Sequence, residues 1–297
     1  MRVSSETLFR TATAAMQGHN AQLLDLQTQI ASGRRFQHAH EAPADAANVV
    51  EWESAQQRLT GQGAAADRVQ HRLGMTENAL DDAQLMLDRI REQLLAGRSD
   101  SYTQQDRSLL ADEIGGIGQA WLQLANRQDG SGQALFSGSG TGDAFAANGL
   151  YLGSPQARRV EVADGQQIPD GISGDTVFGE AAGQSSFDWL QAAEAALREG
   201  DAATRHAALD AALLGIDAVA ERVSQARTDT GNRLSALDRA ATWREGAQAQ
   251  LTSLLSARRD TDVIDAATRL AQLSAQQSAA QATYLQVSSL SLFDRLR

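Results

Sequence analysis

Cysteine is absent from these 297 residues, lysine is absent too, and only three prolines occur. Without cysteine there is no disulfide, no thiolate nucleophile and no thiolate metal site, and the chain is indifferent to redox compartment. Aromatic residues make up 5% against a hydrophobic total of 42%, and much of the apolar share is alanine. Such small side chains suit close helix packing and would fill a globular enzyme core poorly. So few prolines permit very long helices. Positive charge is also short: 26 basic residues against 37 acidic ones leave a net charge of -11 and a pI near 4.9. Nucleic acid, whose phosphates demand basic surface, is therefore not an expected partner. All the basic residues are arginine, which composition alone reads as a coding bias. No stretch approaches the roughly 20 apolar residues needed to span a bilayer, so no membrane partner is expected. No apolar signal-peptide core follows Arg2, and any export would need a route without a cleaved signal.

What the chain does contain is heptads. Phe9, Met16, Leu23 and Ile30 fall seven apart, with Ala12, His19 and Leu26 interleaved. Near the other end Val263, Leu270, Gln277 and Tyr284 do the same, interleaved with Ala266, Leu273, Ala280 and Val287. A 3.5-residue period keeps one stripe facing a partner helix, so each end reads as one strand of a coiled coil, paired with the other end or with copies of itself.

Between these ends the spacing predicts a first helix over about 5–31 stopped at Gly33, a loop, and a second helix opened by Pro43 and closed by Gly97. Its seams are Trp52, Leu59, Ala66, Leu73, Leu80, Leu87, Leu94 and Ala55, Gln62, Val69, Thr76, Ala83, Ile90. At 1.5 Å per residue this helix is roughly 75–80 Å long. A third helix covers about 104–127. Residues 129–185 then turn rich in Gly, Asp, Ser and Asn, with short runs at Ala134-Leu135-Phe136, Leu150-Tyr151-Leu152, Arg159-Val160-Glu161-Val162 and Thr176-Val177-Phe178 that read as strands. Helix returns at Ser186 and stops at Gly200. A further long heptad follows, through Leu209, Ile216, Val223, Thr230, Leu237, Arg244 and Leu251, with Ala212, Val219, Ala226, Arg233, Ala240, Ala247 and Leu254 on its second seam. Arg233 and Arg244 interrupt those seams and are expected to pair with carboxylates or to snorkel to solvent. The last helix begins near Asp262.

The fold class is accordingly mainly α: a long antiparallel coiled-coil or helical-bundle rod built from both chain ends, with a small β-rich insert domain in the middle. Three parts are expected: a terminal helical domain of 1–36 with 260–297, a long-helix domain of 37–128 with 186–259, and a β-rich outer domain of 129–185.

Catalytic signals are thin, and no catalytic, cofactor or metal residue is assigned. His38, His40, Glu41 and Asp45 suggest a metal site only weakly, because no further ligands follow at zinc-type spacing; a polar connecting loop is the plainer reading. His19 sits on an apolar seam, where a packed histidine is expected. The Gly-rich run 138–142 lacks the lysine of a phosphate loop and reads as a turn. The informative features are surfaces. The N-terminal stripe Phe9, Ala12, Met16, Leu23, Leu26 and Ile30 is one assembly interface. The C-terminal stripe Leu270, Leu273, Ala280, Tyr284 and Val287, continued by Leu290, Leu292, Phe293 and Leu296, is the other. Both are too lean to hold an isolated pair against the backbone entropy of ordering, roughly 1–2 kcal/mol per residue. They are expected to be frayed in the free monomer and to fold on assembly.

Several local motifs add a resemblance. The start Met1-Arg2-Val3-Ser4-Ser5, the loop Ser32-Gly33-Arg34-Arg35 followed by Glu41-Ala42-Pro43-Ala44-Asp45, and the ending Ser289-Leu290-Ser291-Leu292-Phe293 resemble the flagellin-like family of hook–filament junction proteins. In the insert, Leu135-Phe136-Ser137-Gly138, Tyr151-Leu152-Gly153, Gly171-Ile172-Ser173-Gly174 and Val177-Phe178-Gly179 follow that family's pattern in order. One departure is His38-Ala39-His40-Glu41-Ala42-Pro43, where the family usually shows a Ser/Asp-Asp-Pro run. The resemblance implies a structural subunit of the bacterial flagellum, extracellular and exported by the flagellar type III apparatus without a cleaved signal. It also implies a ring of copies between the first hook-associated protein and flagellin, and an export chaperone on the C-terminal helix around 279–296. The rivals are a flagellin filament subunit and, from another class, a soluble metal-binding or hydrolytic protein using the His38/His40 loop.

Overall fold

A computed structural model describes residues 2–179 and 185–293. It is mainly helical, with one small antiparallel sheet. The order is α1 Arg2–Ser32, α2 Pro43–Gly97, α3 Gln104–Ala125, β1 Arg159–Ala163, β2 Gln166–Pro169, α4 Gly174–Phe178, α5 Ser186–Arg198, α6 Ala202–Arg259 and α7 Val263–Phe293. Local chemistry sets the ends. Gly33 takes a φ of 69° and its N–H closes on the Gln29 carbonyl at 2.8 Å, which ends α1. Pro43 opens α2, where its missing N–H would have gone unpaired anyway. Thr103 with Asp106, and Ser185 with Asp188, form reciprocal capping boxes at the starts of α3 and α5. The Asp201 carboxylate accepts from the Thr204 N–H at 2.9 Å at the start of α6.

The chain divides into two compact units: residues 1–58 with 247–297, and residues 59–246. The boundaries fall inside α2 and α6. The segment following α3, expected as a separate outer domain, is grouped with the helices of 59–246.

The core lies in that second unit. Leu80, Leu87, Ile90 and Leu94 of α2 are buried together with Leu209, Ile216, Val219 and Val223 of α6, as their heptad spacing requires, and Leu73 is buried in a second cluster with Leu237 and Ala240. Thr76 and Thr230 are fully buried in the same seams, yet each hydroxyl donates to the carbonyl one turn back, Arg72 and Ala226 respectively. Neither is left unsatisfied, so the seam tolerates them. α3 packs on α5. Over these helices the insert contributes an aromatic cluster, in which the Phe178 ring meets Trp121, Phe136 and Phe145 edge-on at 5.2, 5.0 and 5.7 Å. Edge-to-face contacts of this kind add to plain burial.

The insert is less regular than its alternating runs suggest. Only β1 and β2 pair as strands, with Val160 opposite Ile168 and an irregularity between Glu161 and Ala163. The runs around Ala134 and Tyr151 make single bridges, to Gln128 and Phe145. The expected strand at Thr176-Val177-Phe178 is instead the last turn of the short helix α4. Turn bonds and side chains of the helices satisfy these backbone groups, so a strand partner is not needed. Asn126, capping α3, shows how: its amide donates to the Phe145 carbonyl at 2.9 Å while its oxygen accepts from the Phe145 N–H at 2.8 Å.

The first unit is built differently. α1 packs antiparallel on α7, and the two connecting segments pair where they pass: the Arg35 N–H donates to the Arg259 carbonyl at 2.7 Å and the Thr261 N–H to the Gly33 carbonyl at 2.9 Å. Asp45 accepts both Arg35 and Arg258, at 2.5 and 3.3 Å, and Glu53 takes Arg259 at 3.2 Å. Both clusters of buried apolar residues among the described residues belong to 59–246. In the first unit the buried apolar side chains described are Ala46, Val49, Leu255 and Ala266.

Candidate assembly surfaces

The His38/His40 loop does not gather metal ligands. Its two rings stack on each other at 5.5 Å, the Glu41 carboxylate accepts from the Gln37 N–H at 2.9 Å, and Asp45 faces two arginines. The Gln37 N–H, with the neighbouring histidines adding to it, holds the Glu41 carboxyl below its ordinary pKa. Among the described residues no group of three His, Cys, Asp or Glu side chains is placed to hold a metal ion. The double variant H38A/H40A is expected to change stability by less than about 0.5 kcal/mol, as exposed substitutions do. Calorimetry checks the stability, and elemental analysis of the wild type, expected to show no bound metal, checks the loop. The Gly-rich run 138–142 is a turn: Gly138 has a φ of 63°, and a Cβ there would lie 2.2 Å from the Ser154 carbonyl oxygen. The neighbouring amides of Ser139 and Gly140 are spent on the Gln156 and Ser137 carbonyls.

Among the described residues Arg233 and Arg244 pair with backbone carbonyls rather than with carboxylates. Arg244 is buried and donates to the Val162 carbonyl at 3.0 Å, and Arg233 donates to the Gly171 carbonyl at 2.7 Å. From α2, Arg72 reaches the Ala134 carbonyl at 2.7 Å and also pairs with Asp129. Arg222 holds three carbonyls around α4, those of Thr176, Asp175 and Gly179, at 2.9, 2.7 and 2.7 Å. Burial depresses the pKa of the Arg222 guanidinium. The long helices thus grip the insert through guanidinium forks, whose several fixed donors reach several acceptors at once. A lysine offers one point charge, so R222K is expected to destabilise the insert by roughly 1–3 kcal/mol. The check is urea unfolding followed through the Trp121 environment.

Most described residues of the terminal stripes are turned inward, but Val263, placed on the C-terminal seam by its spacing, is 50% exposed, and Leu254 of α6 is 37% exposed. Ala12, Met16, Leu23, Leu26 and Ile30 are half-buried on α1, as is His19, while the positions between them are mostly exposed. Leu270, Leu273, Ala280 and Tyr284 are half-buried on α7, and Ala266 and Gln277 are buried. Gln277 donates to Asn20 Oδ1 at 3.1 Å, which ties the two stripes in register. For Phe9, Val287, Leu290, Leu292 and Phe293 the helix backbone is described but the side chains lie outside the described residues, and Leu296 lies outside them altogether. Heptad reasoning missed a second set of apolar side chains off the seam: Leu24 is 64% exposed, Ile264 82% and Leu285 66%. The signal for them was adjacency, each standing beside a seam residue in sequence.

Residues 3–141 match the bacterial flagellin N-terminal helical region. Over 99% of both chains, this sequence is 25% identical to flagellar hook-associated protein 3 of Escherichia coli strain K12. The chain is thus similar along its whole length to a flagellar hook-associated protein, and its N-terminal part to flagellin. The corresponding protein of Salmonella typhimurium is 24% identical over 80% of this chain and 81% of its own. Among solved structures, FlgL from Xanthomonas campestris (C2 crystal form) has a TM-score of 0.63 at 22% identity, covering 69% of this chain and 99% of that one. A putative flagellar hook-associated protein from Vibrio parahaemolyticus has a TM-score of 0.68 at 22% identity, covering 73% and 98%. These structures share their fold with this chain.

Proposed function

We propose that this chain is a structural subunit of the bacterial flagellum that joins the hook, through the first hook-associated protein, to the flagellin filament, and carries no catalytic step. The observation that carries this reading is the contrast between the two units. Residues 59–246 have a core of their own, whereas the terminal helices meet along half-buried stripes and expose Leu24, Ile264 and Leu285 beyond them. A helix apolar on more than one face is one that neighbours will cover. In this reading copies of the chain form a ring in which the terminal helices pair, as a coiled coil, with those of neighbouring copies. The chain reaches the cell exterior through the flagellar type III apparatus, with an export chaperone on the C-terminal helix around 279–296.

The test is an electron micrograph of cells lacking this protein. Hooks present, filaments absent and flagellin shed into the medium is the expected result, reversed by the wild-type gene. Normal filaments on the deletion strain, or long homopolymers formed by the purified chain, would point instead to a different component. The ends should also order on assembly. Amide exchange on the free monomer is expected to be fast up to about residue 35 and beyond about 262, and slow along the buried seams of α2 and α6. Slow exchange at both ends would count against assembly-coupled folding.

A further inference from the structure

In the core unit, two large exposed apolar side chains, one on α2 and one on α6, lie at the level of two ion pairs that join these helices. Leu95 is 52% exposed and Leu214 73%. Arg98 pairs with Asp210 at 2.9 Å, and Arg91 pairs with Asp217 at 3.1 Å. Leu95 lies between Arg91 and Arg98 in sequence, and Leu214 between Asp210 and Asp217, each at spacings of four and three residues. Residues three and four apart share a helix face. Each leucine therefore sits between the two charges of its own helix, and the ion pairs at both ends bring the leucines to one level.

The outcome is a patch of two parallel rows with opposite sign: Arg91, Leu95, Arg98 on α2, and Asp210, Leu214, Asp217 on α6. All four charged side chains are about half exposed, between 44% and 55%. They remain open to a second partner. We propose that this patch is a self-complementary docking face through which two free copies of the chain pair. A two-fold axis parallel to the helices lays each α2 row over the partner's α6 row, so that arginines meet aspartates both ways and leucine meets leucine. A two-fold axis across the helices would lay α2 on α2 and set like charges together, which charge complementarity forbids. The chain as a whole carries a net charge of -11, so copies repel over most of their surface. At this patch two arginines balance two aspartates, so copies can approach here without that repulsion. It is smaller than the about 800 Å² per partner of a standard interface, so the pair is weak and salt-sensitive. The pairing goes beyond the junction role and does not rest on it.

The absence of cysteine makes the test direct. Single variants L95C and L214C are mixed and gently oxidised. The mixed 95–214 disulfide is expected to exceed each same-site dimer by about tenfold, the ratio that a modest preference in free energy gives, and to fall in high salt. Equal yields of the three products, a dominant same-site product, or no product overturns the proposal. In sedimentation, R91E/R98E and D210R/D217R should each fail to pair alone and should pair when mixed; undiminished pairing of each alone also overturns it. Thiols that stay free in the isolated chain but become shielded in assembled flagella would assign the face to another flagellar protein and rule out the second copy.

Discussion

Phe178→Ala is expected to destabilise the core unit by roughly 3–5 kcal/mol, the range for emptying a buried aromatic site. The ring is fully buried and is the point at which the insert meets the helices: Trp121 of α3 and Phe136 and Phe145 of the insert all meet it edge-to-face. The same place is fixed by hydrogen bonds. Trp121 Nε1 donates to Ser186 Oγ at 3.0 Å, and Ser186 Oγ donates to the Phe178 carbonyl at 2.8 Å. Loss of the ring therefore leaves a cavity between elements that hydrogen bonds hold apart, and collapse to fill it is restricted. At about 2–4 °C per kcal/mol for a unit of this size, the melting temperature should fall by on the order of 10 °C. Scanning calorimetry reads this directly. A fall of only a degree or two would mean that the insert is not part of the cooperative core.

The second large effect is functional. Leu270→Asp with Leu273→Asp places two carboxylates on the half-buried stripe of α7 that faces α1. Burying an unpaired carboxylate is costly enough that the stripe will turn away or stay unfolded. In cells carrying this double variant, filaments should be lost from hooks and swimming abolished. The core unit, which holds neither residue, should keep its unfolding free energy to within about 0.5 kcal/mol. Gln281→Asp, on an exposed position of the same helix, is the control and should swim normally. Motility of the double variant at wild-type level would sever the link between this stripe and assembly. A core unit that melted with it would mean instead that the two units share one stability.

Much of the helical part was legible from spacing alone. Gly33, Pro43 and Gly97 mark ends that the backbone adopts for local reasons, so sequence neighbours suffice to predict them. The seams were legible because a heptad pattern has one solution, a stripe turned toward a partner. The insert was not. Thr176-Val177-Phe178 has β-branched character, yet the chain is helical there because Val177 and Phe178 are drawn into the core and Arg222 holds the carbonyls at the end of that turn. The role of Arg233 and Arg244 was hidden for the same reason. Their acceptors, the carbonyls of Gly171 and Val162, are 62 and 82 residues away in sequence, and a carbonyl carries no residue identity to read. The candidate surfaces divide likewise: the stripe residues follow from periodicity, whereas the exposure of Leu24, Ile264, Leu95 and Leu214 depends on which faces other helices cover.

What the sequence determined by itself is periodic and local: long helices, their ends, the inward stripes, and the exclusion of thiolate chemistry and of a basic nucleic-acid surface. These depend on backbone geometry and composition, which act over a few residues or over the whole chain at once. Tertiary structure decided which polar groups meet across long separations, that the insert is gripped by arginines from α2 and α6, and that the core lies in 59–246 while the terminal helices keep apolar surface uncovered. Such pairings depend on distances between elements far apart in the chain, and only packing in three dimensions sets those.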